Sequence, residues 1–157
     1  MLKVADIMTR EVLTLDDSSS LDEAARALAV NGISGAPVRD RTGQIVGVLS
    51  RTDLADPERL ATAEANAEHR ASDESDEDAP GPLTVGDVMT RGFLALRESD
   101  LAMNAVRLMV REEVHRILIL DEDGHLAGIV TPTDVLRALA RSAPLREPAH
   151  REGVTLH

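Results

Sequence analysis

"GIVTPTDVLRAL", Gly128 to Leu139, has a shorter counterpart in "GVLSRTDLA", Gly47 to Ala55. Each is an apolar run, a hydroxyl residue, two further residues and an aspartate. The apolar run reads as a buried strand, and the residues after the hydroxyl read as the first turn of a helix. A hydroxyl with an acid three places on has the form of a capping box. Ser50 or Thr131 would satisfy an open backbone N–H, and Asp53 or Asp134 would reach back and favour the positive helix end. Pro132 suits the first helical position, where its missing N–H is no loss. The same geometry also has a chemical use. A strand that ends at a helix N-terminus turns donors into a crevice suited to an anion. A carboxylate there would accept both hydroxyls of a vicinal diol such as ribose. At this level both readings stand.

Working outward, the whole chain is doubled. "VADIMTREVLTL" (Val4–Leu15) matches "VGDVMTRGFLAL" (Val85–Leu96), and "GQIVGVLSRTDL" (Gly43–Leu54) matches "GHLAGIVTPTDV" (Gly124–Val135), both at an offset of 81 residues. A duplication of this kind decides the fold before any single element does. Each copy predicts a short helical turn, a strand ("EVLTL" or "GFLAL"), an amphipathic helix, two strands joined by a Gly-ended turn, and a second helix. The order is β-α-β-β-α, twice. In the first amphipathic helix Ser20 is the expected N-cap, Glu23 its partner and Gly32 the terminator. In the second, Leu101, Ala105, Leu108 and Met109 share a face. The repeats are expected over 1–56 and 83–140. Between them, over 57–82, "ERLATAEANAEHR" is expected to continue the helix. "ASDESDEDAPGP" has the composition of a disordered spacer. Asp56 to Asp78 holds nine acids and two bases, the pattern of a solvated segment. The tail over 141–157 carries two prolines and reads as loose.

Composition narrows the function. The 157 residues are 43% hydrophobic, with no Trp, no Tyr and only Phe93, so the core must be aliphatic. A net charge of −11 and the scarcity of rings argue against nucleic-acid binding. The absence of cysteine excludes disulfides, thiolate catalysis and Cys-ligated zinc. Five histidines lie scattered without metal or triad spacing, so neither a catalytic residue nor a metal site is expected, and the protein is read as a non-enzyme. No apolar run has signal-peptide or membrane-spanning form, and a cytoplasmic location is expected.

"EEVHRILILDEDG" adds a cationic pair. His115 and Arg116 precede the strand Ile117–Leu120. Arg can clamp a phosphate through two parallel hydrogen bonds, and His donates more strongly when protonated. The plainer reading is two exposed residues at a strand edge. The first repeat has Ser34 and Gly35 there, so a pocket in that repeat would lack the pair. The second-repeat site is therefore expected to dominate.

Taken together, "DIMTREVLTL", "DVMTRGFLAL", "GISGAPVRDRTGQIVGVLSRTDL" and "VHRILILDEDGHLAGIVTPTDVL" resemble a tandem pair of CBS domains, the module named after cystathionine β-synthase. The resemblance covers most of residues 1–140. It implies an α/β (α+β) fold of two repeats packed with pseudo-twofold symmetry, sheets inside and helices outside, with two crevices between the halves. It implies a homodimer and a regulatory sensor of an adenosine-containing ligand: AMP, ADP, ATP or S-adenosylmethionine. By resemblance, Asp53 and Asp134 take the ribose hydroxyls. Ser50, Thr52, Thr131 and Thr133 lie beside them, and His115 and Arg116 meet phosphate. Phe93, Ile117 and Leu118 hold adenine in the second repeat; Val12, Ala36 and Pro37 do so in the first, weaker site. The alternative is a structural or protein-interaction module with vestigial pockets, acting through an effector protein.

Overall fold

The computed structural model describes residues 1–73 and 81–142. In the first repeat, α1 (Val4–Ile7) leads to β1 (Leu15–Asp16), α2 (Leu21–Val30), the antiparallel pair β2 (Gly35–Arg39) and β3 (Ile45–Ser50), and α3 (Arg51–Ala55). The helix α4 (Pro57–Asp73) follows. The second repeat runs α5 (Val85–Val88), β4 (Thr90–Arg91), β5 (Ala95–Arg97), α6 (Ala102–Glu112), β6 (Ile117–Leu120), β7 (Leu126–Val130) and α7 (Pro132–Ser142). One sheet has the order β1-β2-β3-β4 and the other β5-β6-β7. The architecture is the mixed α/β one that the repeat implies.

Local chemistry accounts for the boundaries. Ser20 Oγ accepts the Glu23 N–H at 3.1 Å and starts α2. The helix after β3 does not run on through the alanine-rich stretch; it breaks at Asp56 and restarts. A residue before proline avoids the helical region, and Asp56 is extended, with φ −85° and ψ 108°. Its carboxylate accepts the Glu58 N–H at 3.0 Å, so the break is also the cap of α4. The leading strands are shorter than "EVLTL" and "GFLAL" suggest. Only Leu15–Asp16 and Ala95–Arg97 pair with their own sheets, because the chain ahead of them is still crossing from the other repeat. The acidic spacer and the tail fall largely on 74–80 and 143–157, outside the described residues.

That crossing organises the molecule. Val4, Ile7 and Met8 belong to the core of the second repeat, with Ala105, Met109, Ile117, Ile119 and Val130. Val85, Val88 and Met89 belong to the core of the first, with Leu28, Ala36, Val38 and Leu49. Each leading segment is thus buried in the other repeat's core. Thr9 bridges Ile129, and Thr90 pairs with Val48 on β4, so each segment borders the foreign sheet. Two equivalent glycines make room for this. A Cβ at Gly47 would overlap the Thr90 carbonyl oxygen, and one at Gly128 would lie 2.8 Å from the Thr9 oxygen. Burying a large aliphatic side chain contributes about 1.5–3 kcal/mol. The six exchanged side chains therefore contribute on the order of 10 kcal/mol, as much as the net stability of a typical domain.

Candidate functional site

Where β3 gives way to α3, the exchange opens a cleft of about 660 Å³. One wall is Ser50 to Asp53 with Ser34. The other is Thr90 to Leu94 and Glu113 to Arg116. The duplicated hydroxyl-x-x-Asp of the first repeat thus faces the His-Arg pair of the second.

Asp53 is anchored as a cap. Its Oδ2 accepts the Ser50 N–H at 3.0 Å, while Ser50 Oγ accepts the Asp53 N–H at 3.1 Å. Its Oδ1 lies 3.4 Å from Arg59 Nε, and Arg59 also donates to the Val88 carbonyl at 3.3 Å. A carboxylate oxygen carries two lone pairs, so Asp53 keeps acceptor capacity on its cleft side. Arg116 reaches across to the first repeat. Its Nη2 donates to Ser34 Oγ at 2.9 Å, and its guanidinium lies against Gly35, where a Cβ would come within 2.6 Å of Cζ. Burial pushes the Arg116 pKa below its ordinary value, and the Asp53 charge opposes that shift. Arg51, Arg91, His115 and Arg116 line the cleft against only two acids, Asp53 and Glu113. Phe93 and Leu94 supply apolar wall. A concave site with an apolar side, a diol acceptor and several guanidinium donors suits a polar ring compound carrying an anionic group.

Asp134 has a different setting. It is 5% exposed, the single buried charged residue among those described. Oδ2 accepts the Thr131 N–H at 2.8 Å and Thr131 Oγ1 at 3.0 Å, Oδ1 accepts Thr9 Oγ1 at 2.8 Å, and Arg137 stands 3.8 Å away. The hydroxyl from Thr9 fastens the crossing segment to α7.

The spatial grouping therefore differs from the grouping by repeat. Ser50, Thr52, Asp53, Phe93, His115 and Arg116 share one cleft; Thr131, Thr133, Asp134 and Val12 are not in its wall. Ala36, Pro37, Ile117 and Leu118 are fully buried strand residues and are not in its wall either. Ala36 and Ile117 fill the two cores, while Pro37 and Leu118 alternate to the opposite strand faces. Sequence reasoning missed Arg51, Arg91 and Ser34. Arg91 follows "VMT" in the second copy as Arg10 does in the first, a signal that was legible only once the crossing was known.

The CBS domain family model matches residues 4–57 and again 85–141. The chain belongs to the CBS domain family. It is 30% identical over 155 residues to the uncharacterized protein MJ1426 of Methanocaldococcus jannaschii, covering 88% of this chain and 92% of that one. It is 30% identical to the chloroplastic CBS domain-containing protein CBSX2 of Arabidopsis thaliana, spanning 62% of that protein's length. The crystal structure of CBSX2 in complex with AMP superposes with a TM-score of 0.71 over 90% of this chain and 98% of that one, at 30% identity. The CBS domain pair of MJ0100, in complex with 5-methylthioadenosine and S-adenosyl-L-methionine, shares the fold with a TM-score of 0.70 at 22% identity. It covers 91% of this chain and 99% of that one. Among the described residues no helix is long and apolar enough to cross a membrane.

Proposed function

We propose that this CBS pair is a regulatory module that binds an adenosine-containing nucleotide in the cleft between Asp53 and His115–Arg116. The observation that carries the reading is the meeting of complementary chemistry from two repeats. Asp53 offers a diol acceptor, Arg116 and His115 offer phosphate donors, and Phe93 and Leu94 offer apolar contact. Asp53 takes ribose hydroxyls, Ser50 and Thr52 flank it, and Arg116 with Arg51 or Arg91 neutralises phosphate. The preponderance of cations favours AMP, ADP or ATP over S-adenosylmethionine, which carries its own positive sulfonium. The AMP complex of CBSX2, at 30% identity, supports this choice of ligand. Binding would draw the two repeats together, and it regulates only by the difference in affinity between states.

A structural role has specific support at one place. Asp134 is 5% exposed, its Oδ2 is filled by two bonds from Thr131 and its Oδ1 holds the Thr9 hydroxyl, so that carboxylate serves as a staple. The two aspartates are thus assigned different work, and one experiment separates them. Titration calorimetry with AMP, ADP, ATP and S-adenosylmethionine should give binding to wild type that Asp53→Ala abolishes. Asp134→Ala should lower the melting temperature and leave affinity nearly intact. Equal affinity in wild type and Asp53→Ala would overturn the assignment, and a flat response of wild type to all four compounds would return the module to the structural alternative.

A further inference from the structure

The helix α6 ends in a conformation that its own residue does not favour. Glu113 has φ 54° and ψ 40°, in the left-handed region, and is the single residue other than glycine with positive φ among those described. A residue with a Cβ is strained there, which is why glycine ordinarily fills this helix-ending position. The first repeat does use glycine. By the 81-residue offset Gly32 is the equivalent of Glu113, and its φ is 62°. The backbone that follows is alike in both copies. The Ile33 N–H donates to the Leu28 carbonyl at 3.1 Å, and the Val114 N–H to the Met109 carbonyl at 3.1 Å. The turn therefore calls for glycine in each repeat, and the second carries a strained glutamate instead.

Packing does not explain the glutamate. Glu113 is exposed. Its neighbour Glu112 meets Arg111 at 2.7 Å, whereas the Glu113 carboxylate has no partner among the described residues. Its position does point to a use. Glu113, Val114 and His115 border both the cleft and an apolar groove between α6 and α7, while Arg116 borders the cleft alone. Glu113 thus stands at the outer rim, and Arg116 at the inner end beside Ser34. The three residues from one to the other span at most about 10 Å. A nucleotide with its phosphate on Arg116 and its ribose on Asp53 turns its base toward that rim, past Val114 and Phe93. A carboxylate there repels phosphate, but it accepts a hydrogen bond from a neutral ring that bears an amino group. Adenine offers such a donor in its exocyclic amino group. We propose that Glu113 is a specificity-determining residue, its carboxylate accepting the exocyclic amino group of the bound adenine. The inference rests on the nucleotide reading and adds to it the group that selects the base.

The test compares AMP with purine riboside monophosphate, which differs from it only in lacking the exocyclic amino group. Both carry the same phosphate, so a change in cleft charge moves both alike and their ratio isolates the amino contact. In calorimetric titration the wild type should hold AMP about tenfold or more tighter than the purine compound. Glu113→Gly should bring the two within about twofold of each other. Glu113→Gln, which keeps an acceptor without its charge, should give an intermediate ratio. Glu113→Gly, relieved of strain, should also melt about 2–4 °C higher than wild type. A wild type indifferent to the amino group, a Glu113→Gly protein that keeps the preference for AMP, or one that melts no higher would each overturn the proposal and leave the nucleotide reading standing. A wild type that binds neither compound would remove both.

Discussion

Replacing Gly35 with valine tests the cleft without touching any residue assigned to contact the ligand. A Cβ at this position would lie 2.6 Å from Arg116 Cζ, 2.7 Å from Nη2 and 2.8 Å from Nη1, all closer than packed atoms allow. The obstruction is the end of a flexible side chain, so Arg116 swings away and the backbone stays. The fold loses the 2.9 Å bond to Ser34, worth about 1 kcal/mol net, against which valine brings better strand propensity. Melting should fall by no more than about 2–4 °C. Binding should respond more strongly. A hydrogen bond to a charged group is worth about 1.5–3 kcal/mol, so displacing the guanidinium should weaken AMP about 10- to 150-fold. Adenosine, which has no phosphate, should bind both proteins alike. Calorimetric titration of the two compounds, with scanning calorimetry as the stability control, decides it. If the variant holds AMP as tightly as wild type does, or if adenosine weakens in step with AMP, Arg116 is not the phosphate clamp.

Two further predictions concern the crossing segments. Gly47→Ala drives a methyl into the Thr90 carbonyl, which is backbone and cannot swing aside, so it should cost about 3 kcal/mol, the upper part of the overpacking range. In urea denaturation this should exceed the cost of Gly43→Ala, whose site has open space and only the left-handed φ of 85° to strain it; equal midpoints would refute the crossing geometry. The second prediction is a pH dependence at Asp87. Burial works to raise its pKa, but the Thr84 N–H at 2.9 Å, Arg70 at 2.6 Å and the Thr84 hydroxyl together hold it below the ordinary 3.8. A depressed folded value stabilises the fold above the unfolded value, and that contribution disappears as pH falls through the folded one. The stability gap between wild type and Arg70→Met should therefore close between about pH 5 and pH 2; a gap that stays constant on acidification would count against the ion pair.

How far the sequence carried depended on whether a contact lies within one repeat. The doubling, the order of elements and the capping boxes at Ser50–Asp53 and Thr131–Asp134 are local patterns, and a local pattern is legible in a string. The destination of Val4–Met8 and Val85–Met89 is not local. Both segments are apolar and would suit either core, so periodicity says that they are buried and not where. The pairing of His115–Arg116 with Asp53 instead of Asp134 follows from that same exchange. Ala36, Pro37, Ile117 and Leu118 illustrate the converse limit. Apolar residues beside a site and apolar residues beneath it read alike, and only burial distinguishes lining from core.

Gly35 and Arg116 are equivalents under the 81-residue offset, as are Ser34 and His115. Yet Arg116 lies against Gly35 and donates to Ser34. Two equivalent residues in contact must lie close to the axis that relates their repeats. At that axis, arginine in both copies would bring two guanidiniums into one space and set like charges together. A glycine in both would leave a gap and no donor. The asymmetry that reads in sequence as a deficiency of the first repeat is thus a steric condition for the second: one copy must be small for the other to be large. A duplicated fold can hold a single arginine at its axis only by letting the copies diverge there, and that divergence turns the guanidinium into the cleft that contains Asp53 and commits the charge to one side.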